Sequence, residues 1–253
     1  MKPNRFQVQR ERLAAEGPHK WLATLAPKVE RLRQQLAQRD ARAVALASGA
    51  QLDDTHTLRV RLWDKDYTLT FPECVVRNAD GTPARTDRQA LVLMYLQTAD
   101  GAPVAHHWLR YRELPGGLFY AYAFHGYAER RLAQAFHHCP EAFREAALRC
   151  GGVPLTFGAA YAFEFVALPR IHLAAVLWSG DEDFASNALI LFDAAVSHYL
   201  PADVAGALGS QLVSRLMGVP DDVGQTLTAL AVQPPTPPLQ RANASSRLTS
   251  NLQ

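Results

Sequence analysis

Apolar residues recur at steps of three and four near the N-terminus, which is the pattern of an amphipathic helix. Leu25, Val29 and Leu32 lie on one face of the segment 21–36, and Lys and Arg residues lie between them. The pattern predicts a helix that packs on the core and keeps a solvated basic face. A second short helix is predicted over residues 41–50, because this alanine-rich run ends at a glycine, which commonly terminates helices.

The period changes to two between residues 57 and 71, where apolar residues alternate with Thr and Arg. This alternation predicts a β-hairpin with one buried face. Further along the chain, Thr86 followed by Gln89 predicts that a helix starts with a capping box. The apolar run ALVLMYL at 90–96 favours burial of this helix against the sheet.

The rest of the chain alternates between short apolar runs and amphipathic segments. Strands are predicted at 107–111, 159–168, 171–178 and 187–192, and helices at 128–138, 140–150 and 203–217. Such a mixture is typical of the α+β class. We therefore expect a mostly antiparallel sheet packed by helices.

The domain organisation predicted from these elements is a single α+β domain with additions at both ends. Residues 1–50 form an N-terminal helical arm, and residues 51–232 form the core domain. Residues 233–253 are dominated by Pro, Ser, Thr, Asn and Gln. Because such a composition buries little apolar surface, we expect this tail to be disordered.

The charge of the chain is nearly balanced, with 26 Lys and Arg against 24 Asp and Glu. The small net charge of the chain does not favour binding to nucleic acid. The basic N-terminal helix also lacks an interleaved aromatic platform on which bases could stack. Residues 1–42 hold ten Lys and Arg against four Asp and Glu. This local excess predicts a solvated arm or a docking site for a protein partner.

The three cysteines, Cys74, Cys139 and Cys150, are widely spaced, so the sequence predicts neither a disulfide framework nor a CxxC site. The N-terminus lacks the apolar core of a secretory signal, and no window approaches the roughly 20 apolar residues of a transmembrane helix. We expect a soluble, cytoplasmic protein without a membrane partner. GxGxxG, phosphate-loop, GxSxG and HExxH motifs are absent from the sequence.

An acidic turn and a downstream histidine suggest a cation site. Asp181 and Asp183 follow a predicted strand, and Asp193 and His198 lie five residues apart beyond the next strand. Carboxylate oxygens suit hard cations, and a carboxylate can orient an imidazole. The alternative is a solvated turn that caps the next segment and a histidine hydrogen-bonded to backbone.

Other histidines offer weaker signals. The doublets His106-His107 and His137-His138 resemble ligand-rich runs, but adjacent side chains point in different directions. Each doublet therefore supplies one metal ligand at most. His172 faces Glu164 only if the strand register brings them to one side of the sheet.

An aromatic segment around a Pro-Gly-Gly turn is the candidate cofactor-binding region. Its guanidinium and ring faces suit an anionic or planar ligand, and its glycines permit close approach of the backbone. The alternative is an internal Arg–carboxylate pair that holds the turn. The candidate residues are Arg112, Glu113, Gly116, Gly117, Tyr120 and Tyr122.

Five segments of the sequence resemble an uncharacterised prokaryotic family that is found mainly in anaerobes, and the resemblance covers about residues 57–217. The family motifs are LFD…HYLP and GDE followed by Asp or Glu and then Phe. The matching segments are YTLTFP (67–72), YRELPGGLFY (111–120), ALPR (167–170), LWSGDEDF (177–184) and LFDAAVSHYLP (191–201).

Some members of that family are joined to an iron–sulfur module like that of the corrinoid iron–sulfur protein. The resemblance therefore implies an accessory role near corrinoid, iron–sulfur or one-carbon metabolism, and a corrinoid or iron–sulfur protein as partner. This chain lacks the cluster-binding cysteines, so any cluster would reside on the partner.

The sequence favours an accessory or ligand-binding protein that uses the aromatic Pro-Gly-Gly region. One alternative is a metal-dependent hydrolase or lyase, in which Asp181, Asp183, Asp193 and His198 bind a divalent ion and activate water. A second alternative is a structural subunit that docks through its basic N-terminal helices.

Overall fold

A computed structural model describes residues 17–158, 161–180 and 185–219. The α+β prediction is confirmed, and the strands form two antiparallel sheets that share one main core. The predicted tail and residues 1–16 lie outside the described residues. In the described part of the chain, no helix is both long enough and apolar enough to cross a membrane.

The first sheet is a four-stranded antiparallel meander in chain order. Leu58, Val60 and Leu62 are buried and alternate with exposed residues, as the period of two predicts. A two-residue turn at Trp63 and Asp64 joins the second strand to the third. The strands are β1 (Gln51–Leu52), β2 (Thr57–Leu62), β3 (Lys65–Thr70) and β4 (Arg77–Asn78).

The second sheet has the strand order β5-β9-β8-β7-β6, and every neighbouring pair is antiparallel. One face contributes Phe163 and Leu173 to the main core, and the other carries a smaller cluster with Ala174 and Val176. The strands are β5 (Trp108–Arg110), β6 (Val153–Pro154), β7 (Tyr161–Leu168), β8 (Ile171–Trp178) and β9 (Asn187–Asp193).

The helices cover the core and frame the loops. They are α1 (Gly17–Leu36), α2 (Ala41–Ser48), α3 (Thr86–Thr98), α4 (Ala121–Phe124), α5 (Arg130–Ala135), α6 (Pro140–Arg149), α7 (Val196–Tyr199) and α8 (Ala202–Leu216). Two 3-10 turns, Tyr111–Glu113 and Gly117–Tyr120, precede α4, and a π-helical turn, His125–Glu129, joins α4 to α5.

The amphipathic N-terminal helix is confirmed, and its apolar face packs on α3. Leu25, Val29, Leu32 and Leu36 are all buried. The predicted capping box of α3 is wrong, because Thr86 lies inside the helix and no side chain caps its N-terminus. The Gln89 amide donates instead to the Ala84 carbonyl at 2.7 Å, so it stabilises the approach to the helix.

The tip of the β2–β3 hairpin joins the first sheet to α8 and to the second sheet. The backbone N–H of Trp63 donates to the Ala167 carbonyl at 2.8 Å, and its indole N–H donates to Gln211 Oε1 at 3.0 Å. Arg215 lies over the indole ring and pairs with Asp64 at 2.7 Å. These contacts fix the orientation of the two sheets around one core.

Candidate functional site

Three histidines line a cleft of about 580 Å³ between the π turn and α5 on one side and the start of β9 on the other. This volume falls in the range of small-molecule sites. The lining also includes hydrogen-bonding groups from both walls. The lining residues are His125, Arg130, Ala133, Gln134, His137, His138, Ala185, Ser186 and Asn187.

His125 is held by a carboxylate one turn further along the chain. Its Nδ1 lies 2.9 Å from Glu129 Oε2, and the other oxygen of Glu129 accepts the N–H of Ile190 at 3.4 Å. An ionised carboxylate can only accept, so Nδ1 of His125 carries the proton. When this ring is neutral, its Nε2 atom carries the lone pair. Both residues belong to a π-helical turn, a feature often found at functional sites.

His137 is oriented by a relay of two hydrogen bonds. Its Nδ1 lies 2.9 Å from Ser186 Oγ, and Ser186 Oγ donates to the Ala133 carbonyl at 3.1 Å. A hydroxyl has one proton, so the imidazole Nδ1–H must donate to the serine oxygen. The ring of His138 packs on that of His137 with centroids 4.2 Å apart. When the ring of His137 is neutral, its Nε2 atom likewise carries the lone pair.

An imidazole with a fixed Nδ1–H and a free Nε2 is suited to bind a metal or to exchange a proton. Two histidines of the cleft lining, His125 and His137, each have Nδ1 in a hydrogen bond. Within the described ranges, however, no three His, Cys, Asp or Glu side chains are placed to hold one metal ion.

The predicted metal residue Asp193 ends β9 and is fully buried. Its Oδ1 accepts the N–H groups of Ala105 and Ala195, both at 2.9 Å. Its Oδ2 is buried and has no hydrogen-bond partner among the residues that the structure describes. The observed contacts of Asp193 organise backbone at the end of the strand.

The predicted metal residue His198 lies on α7, and its partner is Asp100 rather than Asp193. Its Nδ1 lies 2.7 Å from Asp100 Oδ2, and both side chains are about half exposed. A backbone hydrogen bond from Ala102 and the pairing with His198 lower the pKa of Asp100. The carboxylate that orients His198 is therefore that of Asp100, whereas the sequence spacing suggested Asp193.

The other two predicted metal residues, Asp181 and Asp183, lie outside the described residues. The hairpin register pairs Trp178 with Asn187, so the two ends of the acidic turn attach at the Asn187 end of β9. Asp193 is the last residue of this seven-residue strand, about 20 Å away. Metal binding by these four residues stays a prediction.

The predicted cofactor residues form a strongly turned segment. The Glu113 carboxylate accepts the backbone N–H of Arg110 at 2.6 Å, and Arg112 is exposed. Gly116 has a φ of 80°, which favours glycine, and Gly117 is buried against the Tyr111 carbonyl. The glycines therefore shape the backbone of this segment.

The two tyrosines of this predicted set have different environments. Tyr120 is partly buried and packs against the main core, whereas Tyr122 is 88% exposed. A ring with that exposure does not form the wall of an enclosed pocket. Cofactor binding by Arg112, Glu113 and these rings stays a prediction.

The His137-His138 doublet was recognisable in the sequence, but the hydrogen-bond partner of His137 was not. Ser186 lies 49 residues away, and nothing in the sequence links the two positions. The pairing of His125 with Glu129 did leave a signal, since side chains four residues apart meet on a helix. The register of β7 and β8 places His172 and Glu164 on the same face of the sheet, a point that the sequence left open. His172 Nδ1 lies 2.6 Å from Glu164 Oε1.

Comparison with known proteins identifies a family. The model of a domain of unknown function, DUF3786, matches residues 40–215, which is more than half of the chain, and the chain belongs to this family. No curated protein and no solved structure matches the chain.

Proposed function

We propose that this member of the DUF3786 family is an accessory protein that binds a metal-centred cofactor, with His137 as the protein ligand to the metal. The strongest support is the 2.9 Å hydrogen bond between His137 Nδ1 and Ser186 Oγ in a cleft lined by imidazoles. Metal-ligating histidines almost always use their other ring N–H in such a bond, which fixes the tautomer and the ring orientation.

The oriented imidazole of His137 suits a metal that brings most of its own ligands. A metal inside a macrocycle needs only an axial ligand from the protein. The sequence resemblance to a family with corrinoid-linked members makes a corrinoid the first cofactor to test.

Other residues of the cleft lining carry side chains that can hydrogen-bond to groups at the edge of such a cofactor. Arg130, Gln134 and Asn187 line the cleft and carry hydrogen-bond donors. Guanidinium and carboxamide groups pair well with the carboxylates and amides that surround macrocycles. His125, held by Glu129, supplies a second oriented imidazole.

The test is an optical titration of the full-length protein with aquocobalamin. Replacement of the cobalt-bound water by an imidazole changes the visible spectrum, so binding through histidine is directly observed. We expect saturable binding that His137→Gln weakens at least about tenfold. Ser186→Ala should weaken binding by about tenfold, because loss of an outer-shell hydrogen bond commonly has an effect of that size.

The matched control is His198→Gln. Like His137, His198 has its Nδ1 in a hydrogen bond, but its partner is the Asp100 carboxylate and it lies beyond the far end of β9. Unchanged binding in His198→Gln together with loss in His137→Gln supports the cleft. Equal losses in both variants, or no spectral change with the wild-type protein, would contradict the proposal.

A divalent-ion site that includes the acidic turn is the second candidate. Asp181 and Asp183 precede the cleft residue Ala185 by four and two residues in the sequence. Calorimetry with Zn²⁺ separates the two candidates. Tight Zn²⁺ binding that Asp181→Asn with Asp183→Asn abolishes favours the metal-dependent hydrolase or lyase, whereas aquocobalamin binding that survives this double change favours the cofactor.

A further inference from the structure

Three large apolar side chains are exposed beside one another on the segment that precedes the π turn. Leu118 is 67% exposed, Phe119 78% and Tyr122 88%. Side chains three and four residues apart share one face of a helical segment, so Tyr122 lies next to both of the others. We call these three residues the aromatic shoulder. Clustered exposed apolar side chains commonly mark interaction surfaces.

The base of the aromatic shoulder is firmly packed. Phe124 is buried and stacks on Tyr111 with ring centroids 4.2 Å apart. Gly117, which begins the same segment, leaves no room for a side chain against the Tyr111 carbonyl. The backbone of the segment that carries the three exposed side chains is thus held in place by buried residues.

We propose that the aromatic shoulder binds the proline-rich segment of the same chain, residues 234–239, which reads PPTPPL. Such segments favour the extended polyproline II conformation, and aromatic surfaces recognise them at a low entropic cost. Phe119 and Tyr122 supply ring faces for the prolines, and Leu118 extends the apolar contact. The inference is independent of cofactor binding in the cleft.

The chain beyond α8 is long enough to reach the shoulder. Gly206 and Gly209 of α8 contact Tyr111 and Phe124, the rings at the base of the shoulder. From Gly209 to Val219 the chain advances about 15 Å at the helical rise. The fourteen residues 220–233 span up to about 45 Å when extended. A tether of this kind also raises the local concentration of the segment.

The experiment places a photo-crosslinker in the shoulder of the full-length protein. Phe119→p-benzoylphenylalanine keeps an aromatic ring at the surface, and Tyr122→p-benzoylphenylalanine provides a second position. After irradiation of a dilute sample, mass spectrometry maps the crosslinked peptides. We expect crosslinks within one chain to the peptide that contains residues 234–239.

Leu46→p-benzoylphenylalanine is the matched control, because Leu46 is 74% exposed and lies on α2 outside the shoulder. We expect no crosslink from this position to the proline-rich segment. Replacing Pro234, Pro235, Pro237 and Pro238 with Ala should reduce the crosslink yield from the shoulder by about fivefold or more, since alanine lacks the proline ring that favours an extended chain.

Two results would overturn the proposal. Crosslinks that join two chains would show that a second copy covers the shoulder. Absence of crosslinks to residues 234–239 from both shoulder positions would show that the segment does not bind there, whatever else is captured.

Discussion

Gly117 illustrates how tightly the backbone packs beneath the aromatic segment. A Cβ atom at this position would lie 1.9 Å from the carbonyl oxygen of Tyr111. The clash is with backbone, which cannot move alone, so Gly117→Ala should lower the free energy of unfolding by roughly 2 kcal/mol or more. Urea denaturation monitored by circular dichroism measures the change.

Gly126 provides the control for this substitution. It lies in the π turn, and an added Cβ would meet no atom within 4 Å. Because alanine is favoured over glycine in helices by about 0.5–1 kcal/mol, Gly126→Ala should leave the stability unchanged or raise it. Equal destabilisation by both substitutions would show that the close approach at Gly117 is not the cause.

Asp100 gives a pH-dependent prediction. The backbone N–H of Ala102 and the imidazole of His198 hold the pKa of Asp100 below its usual range. A lowered pKa in the folded state stabilises the fold above the ordinary carboxyl pKa, and this contribution is lost as the pH falls through the folded value. We expect Asp100→Asn to be less stable than wild type at neutral pH.

The difference between Asp100→Asn and wild type should fade in the acid range, below the ordinary carboxyl pKa of about 3.9. Chemical denaturation at a series of pH values checks this. A difference in the free energy of unfolding that stays constant over the whole series would mean that the charge of Asp100 does not contribute.

The hairpin of β2 and β3 is the element whose docking is easiest to test. The Trp63 indole N–H donates to Gln211 on α8, and Gln211 also accepts from Arg88 at 2.9 Å. Trp63→Phe removes the first bond and keeps a ring, so we expect the free energy of unfolding to fall by about 1–2 kcal/mol. Thermal denaturation measures the loss.

Leu46→Ala is the comparison for the hairpin prediction. Leu46 is 74% exposed, and a substitution at such a surface site should change the stability by less than about 0.5 kcal/mol. If Trp63→Phe has no larger effect than Leu46→Ala, the indole hydrogen bond does not help to dock the hairpin on α8.

Elements with strong local patterns were predictable from the sequence. The amphipathic face of α1, the glycine that ends α2 and the alternation in β2 each depend on neighbouring residues, and all three are confirmed. The predicted capping box of α3 was wrong because the helix has Arg85, not Thr86, as its N-cap, and no side chain caps it. Contacts beyond the local motif thus determine where this helix begins.

At the scale of the whole molecule, the α+β class could be predicted from the mixture of helical and strand periods in the apolar residues. The division of the strands into two sheets could not be predicted in this way. Strand pairing depends on contacts between distant segments, such as β5 with β9. The cleft could not be predicted for the same reason, because His137 and Ser186 are 49 residues apart and are brought together by the tertiary fold. Asp193 and His198 lie close in sequence, yet His198 pairs with Asp100.

The proposed role of His137 as a metal ligand is tested most directly by the imidazole nitrogen signals of the full-length protein, recorded with and without aquocobalamin. A long-range ¹H–¹⁵N spectrum distinguishes Nδ1 from Nε2 in each ring. We predict that His137 carries its proton on Nδ1, and that its Nε2 signal shifts strongly on addition of the corrinoid while the His198 signals stay in place. A protonated Nε2 in the free protein, or an unshifted His137 with saturating corrinoid, would contradict this role.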